Sequence, residues 1–151
     1  MTSLNDIRTQ GPFAECFVVG LGTSEKLFAD PTSADLLPDV LQKKQVQVLT
    51  KEYCTESWTP LSLYPDIFPE NVVCVGTESP SSPVCFGDSG GPLVCKANSG
   101  RWELFGLVSF GYRSCFHDLI PTVLTSVANY REWIKDVTGL ANIIFKDVKK
   151  T

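Results

Sequence analysis

Apolar and polar positions along this chain change over in short bursts. Residues 13–19 are apolar and β-prone and stop at Gly20 and Gly22, as a buried strand does. Gln45, Val46, Gln47 and Val48 alternate polar with apolar, the period of a half-buried strand. Short apolar runs follow at residues 72–75, 92–96, 102–109 and 123–127. The intervening segments 23–39, 52–71 and 76–83 hold most of the prolines and read as loops, and residues 97–100 read as a turn. From Ala128 the period lengthens: Val127, Tyr130, Ile134 and Val137 recur at helical spacing, and Gly139 marks the stop. The pattern predicts an all-β, antiparallel six-stranded barrel closed by a C-terminal α-helix. Residues 1–12 read as a linker, 13–140 as the barrel with its helix, and 141–151 as a tail.

A length of 151 residues suits one domain with its own core. The formal net charge of -4 argues against a nucleic-acid or anionic-membrane partner. No apolar run approaches the roughly 18 residues of a membrane span. The opening MTSLNDIRTQ lacks the basic and apolar regions of a signal peptide. Six cysteines suggest disulfides and an oxidising, extracellular setting. Those two readings conflict, which suggests a piece of a longer precursor. Six cysteines allow fifteen pairings, and composition selects none of them. Zinc competes for any cysteine cluster, but there is no C-x-x-C pair and the one histidine, His117, lies in a loop. Neither a metal nor another cofactor is expected.

The densest chemistry lies between Cys85 and Cys95, in the stretch CFGDSGGPLVC. Gly87, Gly90 and Gly91 surround Ser89 and predict a tight turn, because glycine accepts φ > 0 and close backbone approach. A serine on such a turn is a candidate nucleophile, and the adjacent N–H groups are a candidate oxyanion hole.

GDSGGP flanked by cysteines resembles the nucleophile loop of the trypsin/chymotrypsin-like serine proteases. Cys16-x-x-x-Gly20-Leu21-Gly22 resembles that family's Cys-x-x-x-Gly-Trp-Gly segment. Gly106-Leu107-Val108-Ser109-Phe110-Gly111 resembles its Gly-Ile-Val-Ser-Trp-Gly strand, which lines the substrate cleft. Asn129-Tyr130-x-x-Trp133-Ile134 resembles the opening of its terminal helix. The resemblance runs from about Phe13 to Val137 and implies one half of the family's double barrel, the second, Greek-key barrel.

By that resemblance Ser89 is the nucleophile, and the N–H groups of Gly87 and Ser89 form the oxyanion hole. Asp88 is the carboxylate that, in the family, pairs with an amine released on activation. Pro83 and Val84 fall at the base of the primary pocket, with Ser109, Phe110, Gly111 and Thr122 along its walls. Proline there offers no charge for a basic side chain, so a neutral, medium-sized apolar residue is the expected preference. The implied disulfides are Cys16 with Cys95, Cys54 with Cys74, and Cys85 with Cys115. The interval between Cys54 and Cys74 is longer than trypsin's, which implies an altered rim to the cleft.

In the family a histidine and an aspartate on a first barrel activate the serine. About fifteen residues precede Cys16, too few for a barrel, and His117 follows the serine. The expectation is therefore a serine endopeptidase represented by its serine-bearing half, inactive alone. It would need an N-terminal barrel as partner and a polypeptide as substrate. Without an activation amine, Asp88 is expected to lack its partner, at a cost of about 3–5 kcal/mol, leaving the oxyanion donors disordered or zymogen-like. The alternative is a pseudoprotease-type binding module without catalysis. A dyad of Ser89 with His117 would need the imidazole within about 3 Å of the hydroxyl, and a surface-loop role is the simpler reading. An α/β-hydrolase would need a helix directly after the serine, which Gly90-Gly91-Pro92 opposes.

Overall fold

The computed structural model describes residues 13–23, 38–61, 71–77, 83–112 and 120–139. Six strands form a closed antiparallel barrel: β1 (Phe13–Gly20), β2 (Gln42–Leu49), β3 (Val72–Gly76), β4 (Pro92–Ala97), β5 (Trp102–Phe110) and β6 (Thr122–Ser126). Their order around the barrel is β1-β2-β3-β6-β5-β4, so β4 returns to lie beside β1 in a Greek-key arrangement.

Alternation dictates the interior. Cys16 and Val18 of β1, Leu93 and Cys95 of β4, Val108 of β5 and Leu124 of β6 point inward, and Val46 and Val75 complete the cluster. Leu93 and Leu124 are fully enclosed, each worth about 2–3 kcal/mol of transfer free energy. Cys16 lies opposite Cys95 in the β1–β4 register, and the two are joined by a disulfide.

β6 is buried on both faces: Thr122, Val123 and Leu124 are each at most 1 % exposed. Leu124 faces the barrel interior. Val123 faces a second cluster with Leu49, Cys54 and Cys74. That second layer comes from a helix the residue pattern does not predict, α1 (Lys51–Trp58). Its start is set by Thr50, whose Oγ1 accepts from the Tyr53 N–H at 3.2 Å, with Glu52 in the first turn. Its polar hydroxyls bond back along the helix, Thr55 to the Lys51 carbonyl and Ser57 to the Tyr53 carbonyl. Only Cys54 is buried, and its disulfide to Cys74 fastens the helix to β3. A 3-10 turn at Thr59–Leu61, containing Pro60, follows it.

The terminal helix appears as expected, opened by a 3-10 turn at Ala128–Tyr130 and continuing as α2 (Arg131–Thr138). Gly139, at φ 64°, ends it with its N–H on the Lys135 carbonyl at 3.0 Å. Lys135 also bonds to Glu132 one turn back and holds that carboxyl below its ordinary range. Tyr130 meets the Asn71 amide and so ties the helix entry to the start of β3. Among the described residues no helix is long and apolar enough to cross a membrane.

Candidate active site

The loop between Pro83 and β4 brings three of the expected site residues onto one turn. The Asp88 N–H donates to the Cys85 carbonyl at 3.1 Å, and the Gly91 N–H to the Asp88 carbonyl at 2.9 Å. Gly87 and Gly90, on either side of the Asp88–Ser89 pair, take φ of 95° and 79°, conformations that exclude ordinary side chains. The turn is pinned to β5: Gly90 N–H donates to the Val108 carbonyl at 2.8 Å, and Val108 N–H to the Gly91 carbonyl at 2.9 Å. Ser89 is left exposed at the apex. Among the described residues neither the Gly87 nor the Ser89 N–H donates a hydrogen bond.

Asp88 departs from expectation. Its carboxylate is not partnerless: Oδ1 accepts from the Gly22 N–H at 2.8 Å and Oδ2 from the Cys85 N–H at 2.9 Å. Two backbone donors solvate the charge, which removes the cost assigned to an orphaned carboxylate. The Gly20-Leu21-Gly22 segment exists in this form for that contact, since a Cβ at Gly20 or at Gly22 would fall on the Asp88 carboxylate. Thr23 completes the clasp, its N–H reaching the Phe86 carbonyl at 2.8 Å. Segment 20–23 thus holds the turn from both sides of Gly87.

Around this turn, Pro83 and Val84 are half-buried on the approach to it, and Val84 packs against the barrel core. Ser109, Phe110 and Gly111 stand exposed at the end of β5. Thr122 is buried, and a Cβ added to Gly111 would sit 3.8 Å from its Oγ1. These two positions are therefore neighbours across the β5–β6 edge.

Trp58, which sequence reasoning passed over, belongs to the same region. Its ring meets Phe110 edge-on at 5.4 Å, and its indole N–H donates to the Pro121 carbonyl at 3.0 Å. It braces the ends of β5 and β6 together. The available signal was its place one helical turn after Cys54, on the same face.

The Cys16–Cys95 and Cys54–Cys74 disulfides are formed. Cys85 is disulfide-bonded, and Cys115, its expected partner, lies outside the described residues. So does His117, and with it the dyad. Among the described residues no group of histidine, cysteine and acidic side chains is arranged to hold a metal. After Ser89 the chain enters β4 rather than a helix, which removes the α/β-hydrolase reading.

Comparison with known proteins agrees with this geometry. A sequence model of the Trypsin family matches residues 5–134. Transmembrane protease serine 9 of Rattus norvegicus is 37% identical over 131 residues, covering 87% of this chain and 11% of that protein. Testisin of Homo sapiens is 36% identical over 121 residues, covering 80% of this chain and 36% of that protein. Among solved structures, neuropsin, a serine protease expressed in the limbic system of mouse brain, superposes with a TM-score of 0.64. It is 30% identical and is matched over 84% of this chain and 49% of its own. The chain thus spans about half of neuropsin and a smaller share of the other relatives.

Proposed function

Because this chain belongs to the trypsin-like serine protease family, we propose that it is the serine-bearing barrel of a serine endopeptidase, with Ser89 as nucleophile. The observation that supports this best is the turn itself. Ser89 is exposed at its apex, between two positive-φ glycines, and among the described residues its own N–H and that of Gly87 are uncommitted. Two such donors are what a developing oxyanion requires.

In this reading the Ser89 Oγ attacks the carbonyl carbon of a peptide bond, and its proton passes to an imidazole. The negative charge gathers on the carbonyl oxygen, held by the Gly87 and Ser89 N–H groups. Collapse of the tetrahedral species breaks the C–N bond, and the imidazolium returns the proton to the departing amine. Water then hydrolyses the acyl-enzyme by the same steps reversed. The imidazole and its supporting carboxylate belong to a second barrel outside these residues, carried by the same longer protein or by another chain. The chain alone is inactive.

Asp88 keeps its family role as the activation carboxylate. A carboxylate has about four acceptor positions, so an amine can join the two backbone donors. Pro83 and Val84 at the pocket base, with Thr122 narrowing a wall beside Gly111, favour a neutral, medium-sized apolar residue before the cleaved bond. The disulfides and the protease relatives support action outside the cell.

The test is hydrolysis of blocked peptide p-nitroanilides by this chain joined to the half of neuropsin that it does not match. Cleavage after leucine or valine, abolished by Ser89→Ala, is the expected result. Absence of cleavage after any residue, in a folded fusion, contradicts an enzymatic role and favours a binding module.

A further inference from the structure

The barrel rim beside the serine turn carries exposed apolar side chains from three segments. Leu21 and Phe86 are 45% and 59% exposed, and Val40 and Leu41 are 69% and 61% exposed. Single exposed apolar residues are ordinary, but a group gathered beside a reactive residue marks a binding surface. The backbone gathers this group. Gly20 pairs with Gln42 at the end of the β1–β2 ladder, so the next residues outward, Leu21 and Leu41, lie opposite one another. The Gln42 side-chain amide donates to the Val40 carbonyl at 2.7 Å and fixes the approach to β2. Thr23 ties the same rim to the serine turn through the Phe86 carbonyl. A Cβ at Gly20 or at Gly22 would meet the Asp88 carboxylate, so Leu21 between them projects the other way, toward solvent.

The serine turn stands between this rim and the end of β5. Gly90 and Gly91, after Ser89, are hydrogen-bonded to Val108 of β5, whereas Phe86 and Asp88, before it, are bonded to Thr23 and Gly22. A polypeptide whose carbonyl oxygen enters between the Gly87 and Ser89 N–H groups therefore crosses from one flank to the other. In the proposed catalytic reading its half before the cleaved bond lies along Ser109, Phe110 and Gly111. The departing half then runs over Phe86 and on to Leu21 and Leu41. Leu21 stands where the resembling family segment has tryptophan, and the smaller side chain covers less of its neighbour Leu41. Extended backbone turns alternate side chains to the same face, so a track of this kind takes apolar residues on the departing half.

We propose that Phe86, Leu21, Leu41 and Val40 form an apolar track for the departing half of the substrate. This chain then selects polypeptides in which large aliphatic or aromatic residues follow the cleaved bond. The inference rests on the proposed catalytic reading, and its test separates the two. This chain joined to the half of neuropsin that it does not match is given two quenched fluorescent peptides. They are identical up to the cleaved bond and continue with Leu-Leu-Val in one and Ser-Ser-Ser in the other. The leucine peptide is expected to be cleaved with about tenfold higher kcat/KM, the scale of burying aliphatic side chains in part. Leu21→Ser, Leu41→Ser and Phe86→Ser are each expected to cut that ratio by about threefold. All three positions are exposed, and an unaltered urea midpoint shows that each variant folds. Equal cleavage of the two peptides by wild type overturns the track and leaves the catalytic reading standing. A leucine preference that survives all three substitutions belongs to the joined half and overturns the track as well. Cleavage of neither peptide, nor of any p-nitroanilide, by the folded fusion removes the catalytic reading and the track with it.

Discussion

The Gly22 N–H donates to the Asp88 carboxylate at 2.8 Å, joining residues 66 positions apart in the chain. This contact connects the end of β1 to the residue beside the nucleophile. It fixes the turn through backbone atoms that Gly20 and Gly22 leave accessible.

Gly22→Ala is therefore expected to displace the carboxylate and destabilise the fold by about 2–4 kcal/mol, the range of a forced steric change with a lost charged hydrogen bond. Asp88→Asn keeps the shape but places an amide N–H₂ against one of two donors, with an expected loss of about 1–3 kcal/mol. Urea unfolding of both variants checks the order. Equal stability of Gly22→Ala and wild type would contradict the packing described for this segment.

The two buried layers make separable contributions. Leu93→Ala empties the barrel interior and is expected to cost about 2–5 kcal/mol. Val123→Ala acts on the layer beneath α1 and costs less, about 1–3 kcal/mol, because fewer methyl groups are lost. Hydrogen exchange distinguishes them further: the valine change loosens α1 before the β1–β4 pair, and the leucine change loosens the whole barrel.

Replacing Cys54 and Cys74 by serine removes a link between residues 20 apart in sequence. Stability is expected to fall by about 3 kcal/mol, with exchange protection lost first at α1. Trp58→Phe keeps the edge contact with Phe110 but gives up the indole bond to Pro121, for about 1 kcal/mol. Thermal unfolding of both variants checks these values.

The strands were legible as short apolar or alternating runs bounded by glycine and proline, even in β6, which is buried on both faces and shows no period of two. Observed strands extend a residue or more past the apolar runs, most clearly in β2, whose Gln42, Lys43 and Lys44 continue the register with β1. Strand pairing of that kind leaves no mark in side-chain character. Helix α1 was illegible for a related reason. Its exposed Lys51, Glu52 and Glu56 and half-buried Thr55 and Ser57 resemble a loop, and Cys54 with Trp58 forms too narrow a stripe to register as periodic. The glycines and serine of the site could be read directly, since a turn of that conformation restricts residue type. The donors to Asp88 could not, because two of its partners are backbone N–H groups whose approach depends on how β1 ends.

Fluorophosphonate labelling of Ser89, followed by intact-mass measurement, tests the central claim most directly. The account predicts no labelling of the isolated, folded chain above that of Ser89→Ala, and stoichiometric labelling once a second barrel supplies the imidazole. Rapid labelling of the isolated chain, lost in Ser89→Ala, would show that the serine is activated from within these 151 residues and would contradict the account.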